Sequence, residues 1–162
     1  TYSVASKYVQ PTNHSFVIMY VCYTQDVREK EFINKVHKHL PKEIYRWKIN
    51  DPYHGGVPDT YYAGSTGFCF IEYKYQDTLP RRDTSKIQVH LSTQQRLWLK
   101  QQHEFNIPVY VVLGSQDRVY ITQDYDLPHI TLKEFKKNSI SFTEYMQNLT
   151  NILIGGKNDG LC

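Results

Sequence analysis

The chain alternates between short apolar runs and longer polar stretches, and the spacing of the apolar positions fixes most of the expected elements. Residues 16–23 (FVIMYVCY) are β-branched and aromatic and read as a buried strand. Residues 26–40 carry Phe32, Ile33, Val36 and Leu40 as one helical stripe, with Asp26 as a cap and Pro41 as the stop. A short strand over 44–49 leads into 50–56, a run dense in Asn, Asp, Pro and Gly that reads as a loop. Two strand-like runs, 59–63 and 67–75, are joined by Gly64-Ser-Thr66 as a hairpin. The polar stretch 76–90 reads as loop. Ser92 and Gln95 form a capping box that opens a helix over about 92–105, ended at Asn106-Ile-Pro108. Val109 to Leu113 is continuously apolar, as a strand buried on both faces must be, and 118–122 returns as its hairpin partner. Short helices near 131–137 and 141–153 precede a Gly-rich tail expected to fray. The order implies one α/β domain over 1–162 with a mixed β-sheet flanked by helices.

Composition refines this only slightly. An apolar fraction of 40% and a charged fraction of 22% describe a globular chain, and 162 residues suit one domain rather than two. Fourteen tyrosines are many, and core packing accounts for most of them. The formal charge of +3 permits nucleic-acid binding without requiring it. Cys22, Cys69 and Cys162 are scattered without CxxC or metal spacing, which argues for reduced thiols and a cytoplasmic setting. No apolar run is long enough to span a bilayer. There is no HExxH pair, no GxxxxGK[ST] loop and no GxGxxG fingerprint, so zinc-protease and nucleotide-binding chemistry are not indicated.

One constellation carries chemistry. Side chains alternate along a strand, so Phe68, Phe70, Glu72 and Lys74 share one face and Cys69, Ile71 and Tyr73 the other. Asp59 opens the neighbouring strand and converges on Glu72 and Lys74. Two carboxylates beside an ammonium suit a hydrated divalent cation and a phosphate ester. The bland reading of the same residues is a partly buried salt bridge.

Val57-Pro-Asp59, followed about a dozen residues later by Phe70-Ile-Glu72-Tyr-Lys74, resembles the PD-(D/E)XK nuclease signature. Trp47-Lys-Ile-Asn50 and Gly55-Gly-Val-Pro-Asp59 resemble the approach to the first acidic residue in VRR-Nuc-like and phage resolvase-like members. Leu91-Ser-Thr-Gln-Gln95-Arg-Leu-Trp98 resembles the helix that follows it, over a core of roughly 27–122. The resemblance implies a restriction-endonuclease-like core and a Mg²⁺-dependent endonuclease, with Mn²⁺ as a substitute. Asp59, Glu72 and the carbonyl of Tyr73 would be metal ligands, and Lys74 would serve the water or transition state. Gln95 would support the site, while also being a plain helix cap. Family members often carry an upstream helical glutamate. Glu29, on the apolar stripe, fits it better than Glu31, which points with Lys35 and Lys38 to solvent. Arg81, Arg82 and Lys86 become phosphate contacts, and His54 a loop residue able to touch DNA. A second cluster, Lys133, Lys136 and Lys137, reads as a solvated face.

The implied substrate is double-stranded or branched DNA, cut by a branched-DNA, restriction-type or intron-encoded homing enzyme acting as a dimer or tetramer. A binding-only nucleic-acid domain and a protein-interaction domain are the competing classes. No RNP-like segment points to RNA.

Overall fold

The computed structural model describes residues 27–50 and 55–155. The expected strand at 16–23, Asp26, His54 and the Gly-rich tail lie outside those residues. Helix α1 is helical over 27–39. It is followed by β1 (Tyr45–Lys48), β2 (Thr60–Ala63), β3 (Phe68–Tyr75) and β4 (Lys86–Gln88). Then come α2 (Thr93–Glu104), β5 (Val109–Ser115), β6 (Arg118–Thr122), β7 (His129–Thr131), α3 (Leu132–Asn138), β8 (Ile140–Ser141) and α4 (Phe142–Ile154).

Six strands form one sheet in the order β1-β2-β3-β5-β6-β8, and β4 pairs with β7 in a separate two-stranded sheet. Neighbours are antiparallel except β3 and β5, which run parallel with Glu72 opposite Val111 and Tyr73 opposite Val112. The sheet is therefore mixed, as expected, and helices cover both faces. On one face, Phe32, Ile33, Val36 and Leu40 of α1 and Tyr145, Leu149 and Leu153 of α4 bury Tyr62, Cys69, Ile71, Tyr73 and Val112. On the other, Leu99 and Trp98 of α2 meet Phe70, Val109, Val111 and Leu113. Ile87, Ile130, Leu132 and Phe135 extend that second core under the small sheet. Gly114 lets α1 close down: a Cβ there would sit 2.5 Å from the Phe32 ring.

Two expectations need correction. The stretch 76–90 is not all loop, because Ile87 is a buried residue of β4 whose partner β7 lies 43 residues on. A three-residue strand with one inward side chain is too short for alternation to declare itself. The two-residue β8 escaped detection for the same reason. Where the sequence signals were chemical rather than periodic, they located the helix starts well. Ser92 and Gln95 form a reciprocal capping box on α2, as Thr131 and Glu134 do on α3, and Ser141 accepts the Glu144 N–H at the start of α4.

Candidate active site

The hairpin partner of β3 ends early, and that shortfall makes the site. Strand β2 pairs with β3 only from Phe68 to Ile71. Beyond Ile71, β3 continues against β5 alone. The Asp59 side chain occupies the place where β2 would have continued, its Oδ2 accepting the Tyr73 N–H at 2.9 Å. The N–H and carbonyl of one strand residue point to the same edge. The Tyr73 carbonyl therefore opens toward Asp59 as well. Asp59 is itself held in line by its own carbonyl, which accepts the Ile49 N–H at 2.8 Å.

Glu72 lies on the opposite face of β3 from Tyr73, among apolar neighbours, and is 1% exposed. Its Oε1 accepts from Lys74 Nζ at 2.6 Å and from Gln95 Nε2 at 2.5 Å. Among the described residues its Oε2 is buried without a hydrogen-bond partner. Burial pushes the Glu72 carboxyl up to about 7; Lys74 opposes this and the nearby Asp59 adds to it. Burial also works against the charge on Lys74, but Glu72, Glu29 and Asp59 more than offset it, and the ammonium is held above its ordinary range. Lys74 therefore remains a cation at neutral pH and is unsuited to act as a base. Glu29 reaches Lys74 at 3.9 Å, and its side chain is 17% exposed. Glu31 pairs with Arg28 at 3.4 Å and is 61% exposed.

Gln95 makes two contacts, one within its own helix and one to β3. Its Oε1 accepts the Ser92 N–H at 2.9 Å as a cap, and its Nε2 donates to Glu72. The start of α2 is thereby tied to β3. Gly56 makes a second tie. It adopts φ +93° and lies so close to α2 that a Cβ would meet the Gln94 carbonyl oxygen at 2.4 Å. The turn leading to Asp59 and the helix bearing Gln95 are fixed against one another by backbone contact.

Asp59, Glu72, Lys74, Gln95 and Glu29 thus meet at the C-terminal end of β3. Arg81 and Arg82 are exposed in the segment after β3, and Lys86 is exposed on β4. A support that sequence reasoning missed lies behind the strand. Tyr73 Oη is 2.8 Å from Tyr145 Oη and 3.3 Å from Tyr62 Oη, and His37 Nε2 is 3.0 Å from Tyr62 Oη. The alternation of β3 puts Tyr73 on that face, but its partners come from β2 and α4, which no local pattern connects.

Among the described residues, no three His, Cys, Asp or Glu side chains are grouped to hold an ion. Two carboxylates do converge, and the third oxygen on offer is the Tyr73 carbonyl. The unpartnered Glu72 Oε2 fits a cation ligand, since a buried anionic oxygen without a donor is costly. The donor set is all oxygen, as Mg²⁺ and Mn²⁺ prefer.

No family model matches the chain, and no curated protein matches it. Among solved structures, the chain is similar to the Holliday junction resolvase Hjc of Archaeoglobus fulgidus, at 14% identity and a TM-score of 0.44. That match covers 72% of this chain and 93% of that one.

Proposed function

We propose that this chain is a metal-dependent endonuclease of the PD-(D/E)XK type that hydrolyses DNA phosphodiester bonds. The observation that carries the reading is the unpartnered, buried Glu72 oxygen beside Asp59, with Lys74 fixed on the other oxygen of the same carboxylate. A stability-driven salt bridge would satisfy both oxygens. The PD…ExK and Gln-helix resemblance in the sequence is the second support.

In this reading Asp59, Glu72 and the Tyr73 carbonyl hold Mg²⁺ or Mn²⁺, which supplies charge neutralisation and a more acidic water. Lys74, kept protonated by Glu72 and Glu29, faces the phosphate and stabilises charge developing on its oxygens. Gln95 holds the Glu72 carboxylate in one orientation, and Glu29 holds Lys74. Arg81, Arg82 and Lys86 contact phosphates along the duplex without reading sequence. Double-stranded or branched DNA is the substrate class.

A symmetric homo-oligomer belongs to the same reading. Tyr45, Trp47 and Phe68 stand exposed on one sheet face, at 61%, 51% and 41%, with Leu97 exposed within α2 and Phe105 at its C-terminal cap. Apolar exposure on this scale suits a second copy. Light scattering that gives a monomer at micromolar concentration would remove this part alone.

The activity is tested by incubating plasmid, linear duplex and four-way-junction DNA with the protein and Mg²⁺, beside Lys74→Ala. The wild type cuts at least one substrate, and the variant loses several orders of magnitude while still binding DNA. Equal cutting by both proteins would show that the activity belongs to another site or a contaminant.

A further inference from the structure

The two basic clusters that are separate in sequence form one surface in the fold. Strand β4 pairs with β7, placing Lys86 opposite Thr131, the cap of α3. The segment before β4 is bound to the first turn of α3 by Leu132 N–H to the Ser85 carbonyl at 2.9 Å. Lys133 N–H to the Asp83 carbonyl, at 3.0 Å, is a second tie. Lys136 Nζ closes the junction on Asp83 at 2.9 Å. Arg81, Arg82, Lys86, Lys133, Lys136 and Lys137, all exposed, therefore sit on one unit.

The charge of this unit is out of proportion to the chain. Residues 81–86 and 131–137 hold six cations and two carboxylates, a net of +4. The chain as a whole has 19 cations and 16 carboxylates, so the remainder has 13 against 14, a net of −1. Both carboxylates of the unit are already committed, Asp83 to Lys136 and Glu134 to the Thr131 backbone and hydroxyl. Among the described residues, Arg81, Arg82, Lys86, Lys133 and Lys137 make no ion pair. Complementing the C-terminal dipole of α3 accounts for Lys136 and Lys137 only.

We propose that α3 and the segment ahead of β4 form a phosphate-backbone contact surface that grips the DNA arm beside the cleavage site, with Lys133 and Lys137 as contacts. The proposal rests on the nuclease reading and extends its DNA footprint to an element of the C-terminal third. Arg81 follows Lys74 by seven residues, a reach of at most about 25 Å. Each strand of a duplex presents a phosphate every ~3.4 Å of axis, so the Arg81 edge of this surface lies within about seven base pairs of the scissile bond, and α3 continues the surface from there. Contacts of this kind position the duplex and add affinity without sequence preference.

The test is binding of a labelled DNA duplex in EDTA across 50–200 mM salt, followed by anisotropy. It compares wild type, Lys133→Glu/Lys137→Glu, Lys133→Gln/Lys137→Gln and a charge-matched Lys38→Glu/Lys42→Glu at the C-terminal end of α1 and in the turn that follows it. Each lost phosphate contact lowers the slope of log affinity against log salt by about 0.9. The α3 variants should therefore lose about tenfold of the affinity change over that fourfold range of salt. The Lys38/Lys42 variant should keep the wild-type slope. An unchanged slope in the α3 variants, or the same loss in both pairs, overturns the proposal. A wild type that binds no DNA at all would instead remove the nuclease reading. Circular dichroism melts show that each variant is folded, and the glutamine pair, which removes charge without reversing it, gives the slope if the glutamates unfold the unit.

Discussion

Replacing Glu72 by Gln isolates the energetic cost of keeping a carboxyl group in an apolar setting. The carboxyl moves from an ordinary 4.5 to about 7 on folding, chiefly because it is buried at 1% exposure. The native state then holds its proton over a range where the unfolded chain has released it. Stability consequently falls as pH rises from about 4.5 to about 7, and is fully present only below that window. The gap of about 2.5 pH units, at ~1.36 kcal/mol each, comes to about 3 kcal/mol. Glu72→Gln cannot ionise, so its stability lacks this component. Urea titrations of both proteins in EDTA from pH 4.5 to 8.5 give the difference directly. Any difference in pairing between the amide and the acid it replaces does not vary with pH and drops out. The variant should gain about 3 kcal/mol on the wild type across the window. Mn²⁺ at a hundredfold excess over its dissociation constant should then restore about 2.7 kcal/mol to the wild type alone at pH 8. A difference that is flat with pH would refute the reasoning, because it would mean that Glu72 remains ionised throughout.

Further expectations separate scaffold from chemistry. Ser92→Ala should lose the α2 cap, about 1 kcal/mol, with cleavage within a few-fold of wild type. Gln95→Ala should lose a similar amount and, in single-turnover assays, also most of the cleavage rate. Gly56→Ala combines a left-handed φ with a 2.4 Å clash and should cost about 1–3 kcal/mol in urea melts. A neutral result would mean that the turn before Asp59 is not held against α2. Tyr73→Phe removes a hydroxyl from between those of Tyr62 and Tyr145 and should cost about 1–2 kcal/mol by thermal denaturation. No loss would show that those hydroxyls are as well satisfied without it.

What the sequence revealed depended on the range of the signal. The stripe of α1, the cap of α2 and the buried run of β5 are each written within about fifteen residues, and each is found where expected, whereas the Thr131–Glu134 box of α3 is seen only in the fold. The alternation of β3 correctly put Glu72 and Lys74 on one face and Tyr73 on the other. Glu29 over Glu31 followed from helical spacing alone, and their burial in the fold agrees. The β4–β7 pairing and the Tyr62–Tyr73–Tyr145 contacts were illegible because their partners are tens of residues apart. The same distance hid the joining of the Arg81–Lys86 cluster to the Lys133–Lys137 cluster, which reads in the sequence as a separate solvated face. His54, given a possible DNA contact, lies outside the described residues.

The alternation of β3 between its two cores bears on folding fidelity. Strand β3 is sandwiched between two apolar cores, so sliding it by one residue would drive Glu72 and Lys74 under α1 and α4 and turn Tyr73 out toward α2. Two charged groups would enter a greasy compartment with no donors prepared for them. Misaligned chains are thus penalised by the very side chains that carry the charge of the site. The Glu72–Lys74 pair doubles as a proofreading mark for its own strand.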